Sequence, residues 1–191
     1  MTLEETLVFV DGAYLSKISK YFGRGKYLRV NLINFAKYLA QKQQLLCKHI
    51  YFYTAPPFQS QTATAEEVKR RANYDSFITA LKQNKEITVR EGRLQKIKGI
   101  FTQKGVDTLI TIDLIHEPLQ QQMKKIILLT CDTDFVPVVN IVRNKYQREV
   151  IIYYFTDRKR KSAFSMSNHL LAVCDKKVVL KEEDFLKNVI K

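Results

Sequence analysis

"KKIILLTCDTDFVPVVNIV", residues Lys124–Val142, is the segment of this chain whose pattern says most about its architecture. Ile126–Leu129 is a short, wholly apolar run of the kind found in strands that are buried on both faces, and Phe135–Val142 is apolar again. Between these runs, Asp132 and Asp134 stand one residue apart, where a predicted strand turns into a predicted helix. Since two adjacent like charges disfavour ionisation of both groups, this placement needs a chemical explanation.

Apolar segments elsewhere in the chain complete an alternating pattern of strands and helices. The predicted strands are Thr6–Val10, His49–Tyr53, Ile87–Glu91, Ile126–Thr130 and Val150–Phe155. The predicted helices are Asn31–Leu46, Thr64–Gln83, Gly105–Gln121, Phe135–Lys145 and Glu182–Ile190. Asn31 is a predicted N-cap, and the sequence TAEE from Thr64 to Glu67 is a predicted capping box. The alternation predicts an α/β fold with a parallel sheet covered by helices on both faces.

The length and composition indicate one globular domain over residues 1–191. No apolar run approaches the roughly 18 residues of a membrane span, and the first residues lack the features of a signal peptide. We therefore expect a cytoplasmic protein with no membrane partner. Three widely spaced cysteines with no CxxC pair argue against a zinc site.

The charge is strongly basic, with 32 Lys and Arg against 19 Asp and Glu, a formal net charge of +13 and a pI near 9.6. Such an excess predicts a polyanionic partner, and nucleic acid is the favoured one. The alternative is a solvated basic surface without a partner. Tyr27 and Tyr74 lie in or near basic clusters, where aromatic rings can stack on bases. The clusters are Arg24–Arg29, Lys69–Arg71, Arg90–Lys98 and Asp157–Lys161.

Three aspartates occupy positions that the predicted fold brings together. Asp11 directly follows the first strand, Asp132 follows the fourth, and Asp107 opens the helix reached after the third. The carboxyl ends of parallel strands share one edge of the sheet, so we expect these acids to converge there. An oxygen-only set of this kind suits Mg²⁺ or Mn²⁺, which would compensate the clustered charge. Asp134 is interpreted as a helix cap beside the metal, because Pro137 fits the first helical turn.

Several residues have less specific interpretations. Asp107 can instead simply cap its helix, and Asp113, about 120° away from it on an ideal helix, can pair with a base. His116 and His169 are isolated histidines, which are usually structural. The sequence contains no GxxxxGK[ST] phosphate loop, and the glycines near Gly23 do not continue a dinucleotide-binding pattern.

Five motifs, read together, resemble the NYN family of PIN-like nucleases in its LabA-like branch. In chain order they are VFVDGAYL (8–15), YTAPPF (53–58), KGVDTLITIDL (104–114), LLTCDTDFVPVV (128–139) and SNHLLAVCDKKVVL (167–180). The match runs from about Thr6 to Phe185. The resemblance implies a PIN-like, Rossmann-like three-layer α/β/α sandwich with a central, mainly parallel sheet.

The resemblance also implies activity as a ribonuclease with Mg²⁺ or Mn²⁺ held by Asp11, Asp107 and Asp132, and with Asp134 beside them. These are the acids that the strand-end argument selects. Two departures affect the expected activity. The family usually has DGxN and SGDSDF, whereas this chain has Tyr14 for the Asn and TCDTDF for the second motif, which places Cys131 where the family has Gly.

The sequence thus predicts a metal-dependent endoribonuclease that hydrolyses phosphodiester bonds with a metal-activated water. Lys104 and the run Arg158, Lys159, Arg160 and Lys161 are the candidate substrate-binding residues. The expected partner is RNA, with single-stranded regions favoured; the sequence also allows DNA as a substrate, because nothing in it selects the sugar, and it allows a homodimer. The alternative is a catalytically weak or inactive RNA-binding or assembly module of the same family.

Overall fold

The computed structural model describes residues 3–97, 99–157, 162, 164–166 and 168–190. The strands are β1 (Glu4–Asp11), β2 (Leu45–Thr54), β3 (Ile87–Glu91), β4 (Arg93–Ile97), β5 (Ile100–Lys104), β6 (Lys125–Leu129), β7 (Glu149–Tyr154) and β8 (Lys176–Val179). The helices are α1 (Gly12–Phe22), α2 (Leu32–Gln41), α3 (Ala65–Lys82), α4 (Val106–Gln120), α5 (Val136–Asn140), α6 (Asn168–Val173) and α7 (Glu182–Leu186). A 3₁₀ turn, Thr133–Phe135, precedes α5, and a π-helical turn, Ile141–Lys145, follows it.

Six strands form the central sheet in the order β3-β2-β1-β6-β7-β8, and each neighbouring pair is parallel. The chain therefore runs outward from β1 through β2 to β3, and then crosses back to place β6 on the other side of β1. The strand order reverses between β1 and β6. In open α/β sheets this topological switch point opens a crevice at the carboxyl ends of the strands, where ligands bind.

Two apolar layers enclose the sheet, because residues of each strand alternate between its faces. In β1, Val8 and Val10 pack into a layer with α1, α2 and α7, while Leu7 and Phe9 pack into the opposite layer with α4, α5 and α6. All four side chains are fully buried. The predicted three-layer α/β/α sandwich with a mainly parallel sheet is confirmed, and the wholly apolar strands reflect burial on both faces.

The predicted helix starts are confirmed where a capping residue marks them. The Asn31 side chain accepts a hydrogen bond from the Asn34 N–H at 3.0 Å, and Thr64 forms the complete capping box with Glu67. The first predicted helix was too long, because it ends at Gln41 and Leu45 already begins β2. The turn between them leaves the helical region at Gln44, which has a φ of 59°.

The structure also contains elements that the sequence pattern did not predict: α1, the β4–β5 hairpin, α6 and the edge strand β8. The hairpin forms its own two-stranded antiparallel sheet, separate from the six-stranded one. Within the described ranges, no helix combines the length and apolar character needed to span a membrane.

Candidate metal centre

Asp11 and Asp132 follow the two strands that flank the switch point. Asp11 is the last residue of β1, and Asp132 lies three residues after the end of β6. Since β1 and β6 pair in parallel, both carboxylates lie at the same edge of the sheet, in the crevice where this fold class binds ligands. Both side chains are half-buried.

Asp11 is held in place by hydrogen bonds to both of its oxygens. Its Oδ1 accepts from the backbone N–H groups of Ala13 at 2.9 Å and Tyr14 at 3.1 Å, so Asp11 is the N-cap of α1. Its Oδ2 accepts from the Thr130 hydroxyl at 3.2 Å. Gly12 permits the close turn that this requires, because a Cβ there would lie 2.6 Å from the carbonyl oxygen of Tyr53.

Asp132 is oriented by the turn that follows β6. Its Oδ1 accepts from the Asp134 N–H at 3.0 Å, and its own N–H donates to the Thr130 hydroxyl at 3.4 Å. The fully buried Thr130 hydroxyl therefore links Asp11 to Asp132. The interpretation of Asp134 as the cap was wrong: Asp132 caps the 3₁₀ turn, and Asp134 is exposed within it.

Asp107 lies in the first turn of α4 and is exposed. The N-cap position of this helix is Gly105, with a φ of 83°, and no side chain caps the helix, so the capping alternative for Asp107 is wrong. Desolvation of the Asp107 carboxylate by the surrounding protein atoms raises its pKa, and the charges of Asp132 and Asp134 raise it further. Asp107 is thus electrostatically coupled to both acids of the β6 turn.

Burial also raises the pKa of Asp11. The hydrogen bonds from Tyr14, Thr130 and Ala13 oppose this increase, and the negative charge of Asp107 adds to it. The perturbations connect Asp11 to Asp107, and Asp107 to Asp132 and Asp134. The carboxylate of Asp107 is therefore close enough to Asp11, Asp132 and Asp134 for their charges to affect one another's ionisation.

None of these four acids forms an ion pair with a basic side chain in the described part of the chain. Other aspartates behave differently: Asp175 pairs with Arg143, and Asp184 with Lys42 at 2.6 Å. Four unpaired carboxylates in a chain of net charge +13 favour a cation, and their oxygen donors fit Mg²⁺ or Mn²⁺.

The donor chemistry fits a hard divalent ion, but the acids do not form a closed coordination shell. Over residues 3–97, 99–157, 162, 164–166 and 168–190, no three His, Cys, Asp or Glu side chains are grouped closely enough to hold a metal. Repulsion among the uncompensated charges is consistent with this spread. Binding of an ion would therefore require the carboxylates to draw together.

A sequence profile of the NYN domain matches residues 5–181. The chain belongs to the NYN domain family. This family is generally nuclease-related and RNA-associated, and PIN-like nucleases of this type typically use divalent metals.

Two further similarities accompany the NYN match. An uncharacterised ATP-binding protein of Methanocaldococcus jannaschii is 28% identical over 156 residues, which are 81% of this chain and 42% of that protein. The chain thus spans less than half the length of this relative. The crystal structure of a Vibrio parahaemolyticus protein of unknown function has a TM-score of 0.61 and 17% identity, and the match covers 97% of this chain and 98% of that one. This likeness supports the PIN-like fold.

The two departures from the usual NYN motifs have different structural consequences. Tyr14 is buried, and its hydroxyl accepts a hydrogen bond from the Phe155 N–H at 2.7 Å, so it connects α1 to the residue after β7. Burial raises the pKa of the Cys131 thiol to about 11, with contributions from Asp11 and Asp132. Cys131 therefore stays protonated at neutral pH and is a poor ligand or nucleophile.

The candidate substrate-binding residues fall in two places. Lys104 is exposed at the end of β5, opposite Arg93 in the hairpin register and three residues before Asp107. Arg158, Lys159, Arg160 and Lys161 lie outside the described residues of this NYN domain. Thr130 was missed as a site residue, although its hydroxyl at the start of TCDTDF was the available signal.

Asp113, in α4, forms a separate, structural ion pair with Arg90 of β3. The Arg90 guanidinium donates to both Asp113 oxygens, at 3.0 and 3.2 Å, and the Tyr53 hydroxyl donates to Oδ2 at 2.9 Å. Asp113 is only 4% exposed, so the bidentate pair balances a buried charge. Arg90 is the first residue of a predicted RNA-binding cluster, but its guanidinium group is thus used to stabilise the fold.

We expect Arg90→Met to destabilise the protein by about 2 kcal/mol, measured as a shift of the urea midpoint. Removing one partner of a buried pair costs ~3–5 kcal/mol, and the 39% exposure of the Arg90 side chain reduces this through solvent screening. Adding Asp113→Asn should recover part of the loss, because it removes the uncompensated charge. Equal stability of the wild type and Arg90→Met would contradict this assignment.

Proposed function

We propose that this NYN domain is a metal-dependent endoribonuclease of the LabA-like branch, acting as one domain over residues 1–191. The observation that carries the proposal is the set of four acids near the switch point of the sheet that form no ion pair within the described ranges, namely Asp11, Asp107, Asp132 and Asp134, together with the raised pKa of Asp11 and of Asp107. The family match supplies nuclease-related, RNA-associated chemistry as the context. The departures at Tyr14 and Cys131 leave these acids in place.

In this proposal Asp11, Asp107 and Asp132 hold Mg²⁺ or Mn²⁺. The ion would polarise the scissile phosphate and lower the pKa of an attacking water. The protein's own contribution is orientation: Thr130 and the first N–H groups of α1 fix Asp11, and the Asp134 N–H fixes Asp132. Asp134, exposed beside Asp132, would accept a hydrogen bond from a water at the site.

Lys104 and the run Arg158 to Lys161 are proposed to bind substrate phosphates. Lys104 is exposed close to Asp107 along the chain, and no acid within the described ranges pairs with it. A cation so placed can contact the backbone of a strand that lies across the carboxylates. Nothing in these contacts selects ribose, so DNA remains the competing substrate.

A second candidate is a catalytically weak or inactive RNA-binding or assembly module. Two observations favour it: the acids form no closed shell of ligands, and Tyr14 replaces the Asn that usually helps to hold the site. ATP binding, which the name of the archaeal relative gives for that protein, has less support here, because this chain lacks the GxxxxGK[ST] loop. Binding of RNA without cleavage in Mn²⁺ would select the module.

The nuclease is tested with end-labelled single-stranded RNA, incubated with pure protein in Mn²⁺ or in EDTA. We expect cleavage only with the metal, and products that carry a 3′-hydroxyl and a 5′-phosphate, because water attacks from outside the strand. A 2′,3′-cyclic phosphate would overturn the proposal, since it requires the substrate's own 2′-hydroxyl as nucleophile. Cleavage that persists in EDTA would overturn it as well.

We also expect the chemical step to tolerate a single 2′-deoxy substitution immediately upstream of the scissile phosphate, with the rate unchanged within about threefold. The 2′-hydroxyl takes no part in attack by an external water. Single-turnover rates at saturating enzyme are the right measurement, because weaker binding cannot then imitate slower chemistry. Complete loss of cleavage at that position would point to the internal nucleophile.

A further inference from the structure

We infer that the β4–β5 hairpin, together with Phe58 in the loop after β2, is a stacking platform for an unpaired base of the RNA substrate. The inference rests on the proposed function in one respect, namely that RNA is the ligand. The platform is defined here as the Phe101 and Phe58 rings with the Lys96 ammonium group.

The hairpin leaves the sheet at the edge that carries the acids. It begins after β3 through Gly92 and returns directly into α4, whose first turn contains Asp107. The Gly92 N–H donates to the Thr54 carbonyl at the end of β2, at 2.9 Å. A Cβ at Gly92 would lie 2.5 Å from the Lys104 carbonyl oxygen and 2.6 Å from Val106, so the hairpin base is packed tightly against the start of α4. The hairpin is therefore anchored beside the acids.

Two aromatic rings are only partly packed: Phe101 on one face of the hairpin, and Phe58 in the loop after β2. Phe101 is 53% exposed, and its ring centroid lies 5.5 Å from that of the half-buried Phe58, with the planes at 61°. Successive strand residues point to opposite faces, so Ile100, 69% exposed, lies on the other face. The exposed Phe101 ring beside Phe58 therefore offers an aromatic surface on which a base can stack.

The charge of the hairpin matches a nucleic-acid strand. Residues 93–104 contain four Lys and Arg residues and no Asp or Glu. The Lys96 Nζ lies 5.3 Å from the Phe101 ring centroid and 5.8 Å from that of Phe58, so a cation stands directly beside the exposed ring. Rings for stacking beside cations for phosphates are the combination that binds single strands without regard to sequence.

The distance along the hairpin suits a strand that reaches the acids. Phe101 is three residues before the end of β5, which corresponds to roughly 10 Å at the rise of a strand, so its ring lies a short way from the start of α4, where Asp107 stands. A base stacked on Phe101 would thus belong to a nucleotide a short way from the phosphate bound near Asp107. A duplex cannot present a base in this way without unstacking it, so the platform favours single-stranded RNA over double-stranded RNA.

The test compares the full chain with Phe101→Ala, Lys96→Gln and the matched control Ile100→Ala, which removes an exposed apolar side chain from the opposite face. Binding is measured by fluorescence anisotropy with labelled oligoadenylate in EDTA, and with a strand of equal length whose nucleotides are abasic. We expect Phe101→Ala to weaken oligoadenylate binding about tenfold, and Ile100→Ala to leave it within twofold. On the abasic strand, wild type and Phe101→Ala should bind equally.

Lys96→Gln should lower the slope of log affinity against log salt by about one charge, whereas Phe101→Ala should leave that slope unchanged. Equal losses for Ile100→Ala and Phe101→Ala, or a Phe101→Ala loss that persists on the abasic strand, would overturn the platform. So would dissociation of an oligomer by Phe101→Ala in sedimentation, since the rings would then contact another copy. If the wild type binds and cleaves RNA and Phe101→Ala binds RNA with the same affinity, the platform is wrong but the proposed function stands. If the wild type binds no RNA, both the platform and the proposed function are wrong.

Discussion

Asp132→Asn is expected to lower the single-turnover rate of RNA cleavage by on the order of 10³-fold at saturating Mn²⁺ while leaving the fold intact. Charge stabilisation through a bound metal is worth several kcal/mol in the transition state, and each 1.36 kcal/mol changes the rate about tenfold. The fold should survive, because an Asn side-chain oxygen can still accept from the Asp134 N–H and is as good a cap as Asp. The loss should therefore appear in the rate and not in the circular dichroism spectrum.

The matched control is Asp134→Asn, which removes the same charge two residues away. Its side chain is exposed and does not cap the turn, so we expect a loss of no more than about tenfold. An equal loss at both positions would make Asp134 a direct ligand. Cleavage by Asp132→Asn at close to the wild-type rate would show that the metal mechanism is wrong, whatever the family of the protein.

The sequence predicted the central sheet well because the signal there is local. Ile126–Leu129 is apolar at every position, and such a run is typical of a strand that has helices on both faces. The convergence of Asp11 and Asp132 follows from the same pattern, since parallel strands bring their carboxyl ends to one edge. What the pattern does not contain is the strand order, and it is this order that places β1 beside β6 and opens the crevice between them.

The β4–β5 hairpin was missed because its stabilisation does not come from a buried face. Ile100 and Phe101 are both exposed, so the strand does not show the alternation of buried and solvated positions that marks most strands. Gly99, with a φ of 80°, was the available turn signal. The sequence pattern indicates only a basic cluster over Arg90–Lys98 and an isolated candidate lysine at Lys104.

The roles of individual polar residues depended on contacts distant in the sequence, which no local pattern predicts. The Tyr14 hydroxyl contacts the backbone N–H of Phe155, and Arg90 on β3 contacts Asp113 on α4. Whether Asp132 or Asp134 caps the turn depended on where the 3₁₀ turn begins. The sequence pattern was enough to select the acids as candidates, whereas the partner of each side chain required the fold.

Mn²⁺ is expected to raise the thermal midpoint of the wild type by about 10 °C and that of Asp11→Asn by much less. A ligand that binds only the folded state stabilises it by about 3–4 kcal/mol at 100 to 1,000 times its Kd, and 1 kcal/mol corresponds to ~2–4 °C for a chain of this size. Scanning fluorimetry in EDTA and in Mn²⁺ measures both midpoints. Because the readout is stability, it tests metal binding without requiring cleavage.

In EDTA, the pKa of Asp11 determines whether Asp11→Asn melts above or below the wild type. Burial and the charge of Asp107 raise the folded-state pKa of Asp11 above the ordinary range of an aspartate, so between the ordinary and the raised pKa the folded protein binds more protons than the unfolded chain. Stability is therefore lost as the pH rises through the raised pKa, and Asp11→Asn, which cannot ionise and still caps α1, should melt at or above the wild type at pH 7. At pH 3 the difference should become small, because the wild-type carboxyl is then mostly protonated in both states. If Asp11→Asn melts well below the wild type in EDTA at pH 7, ionised Asp11 stabilises the metal-free fold. Repulsion among the charged acids would then not explain why they are spread apart.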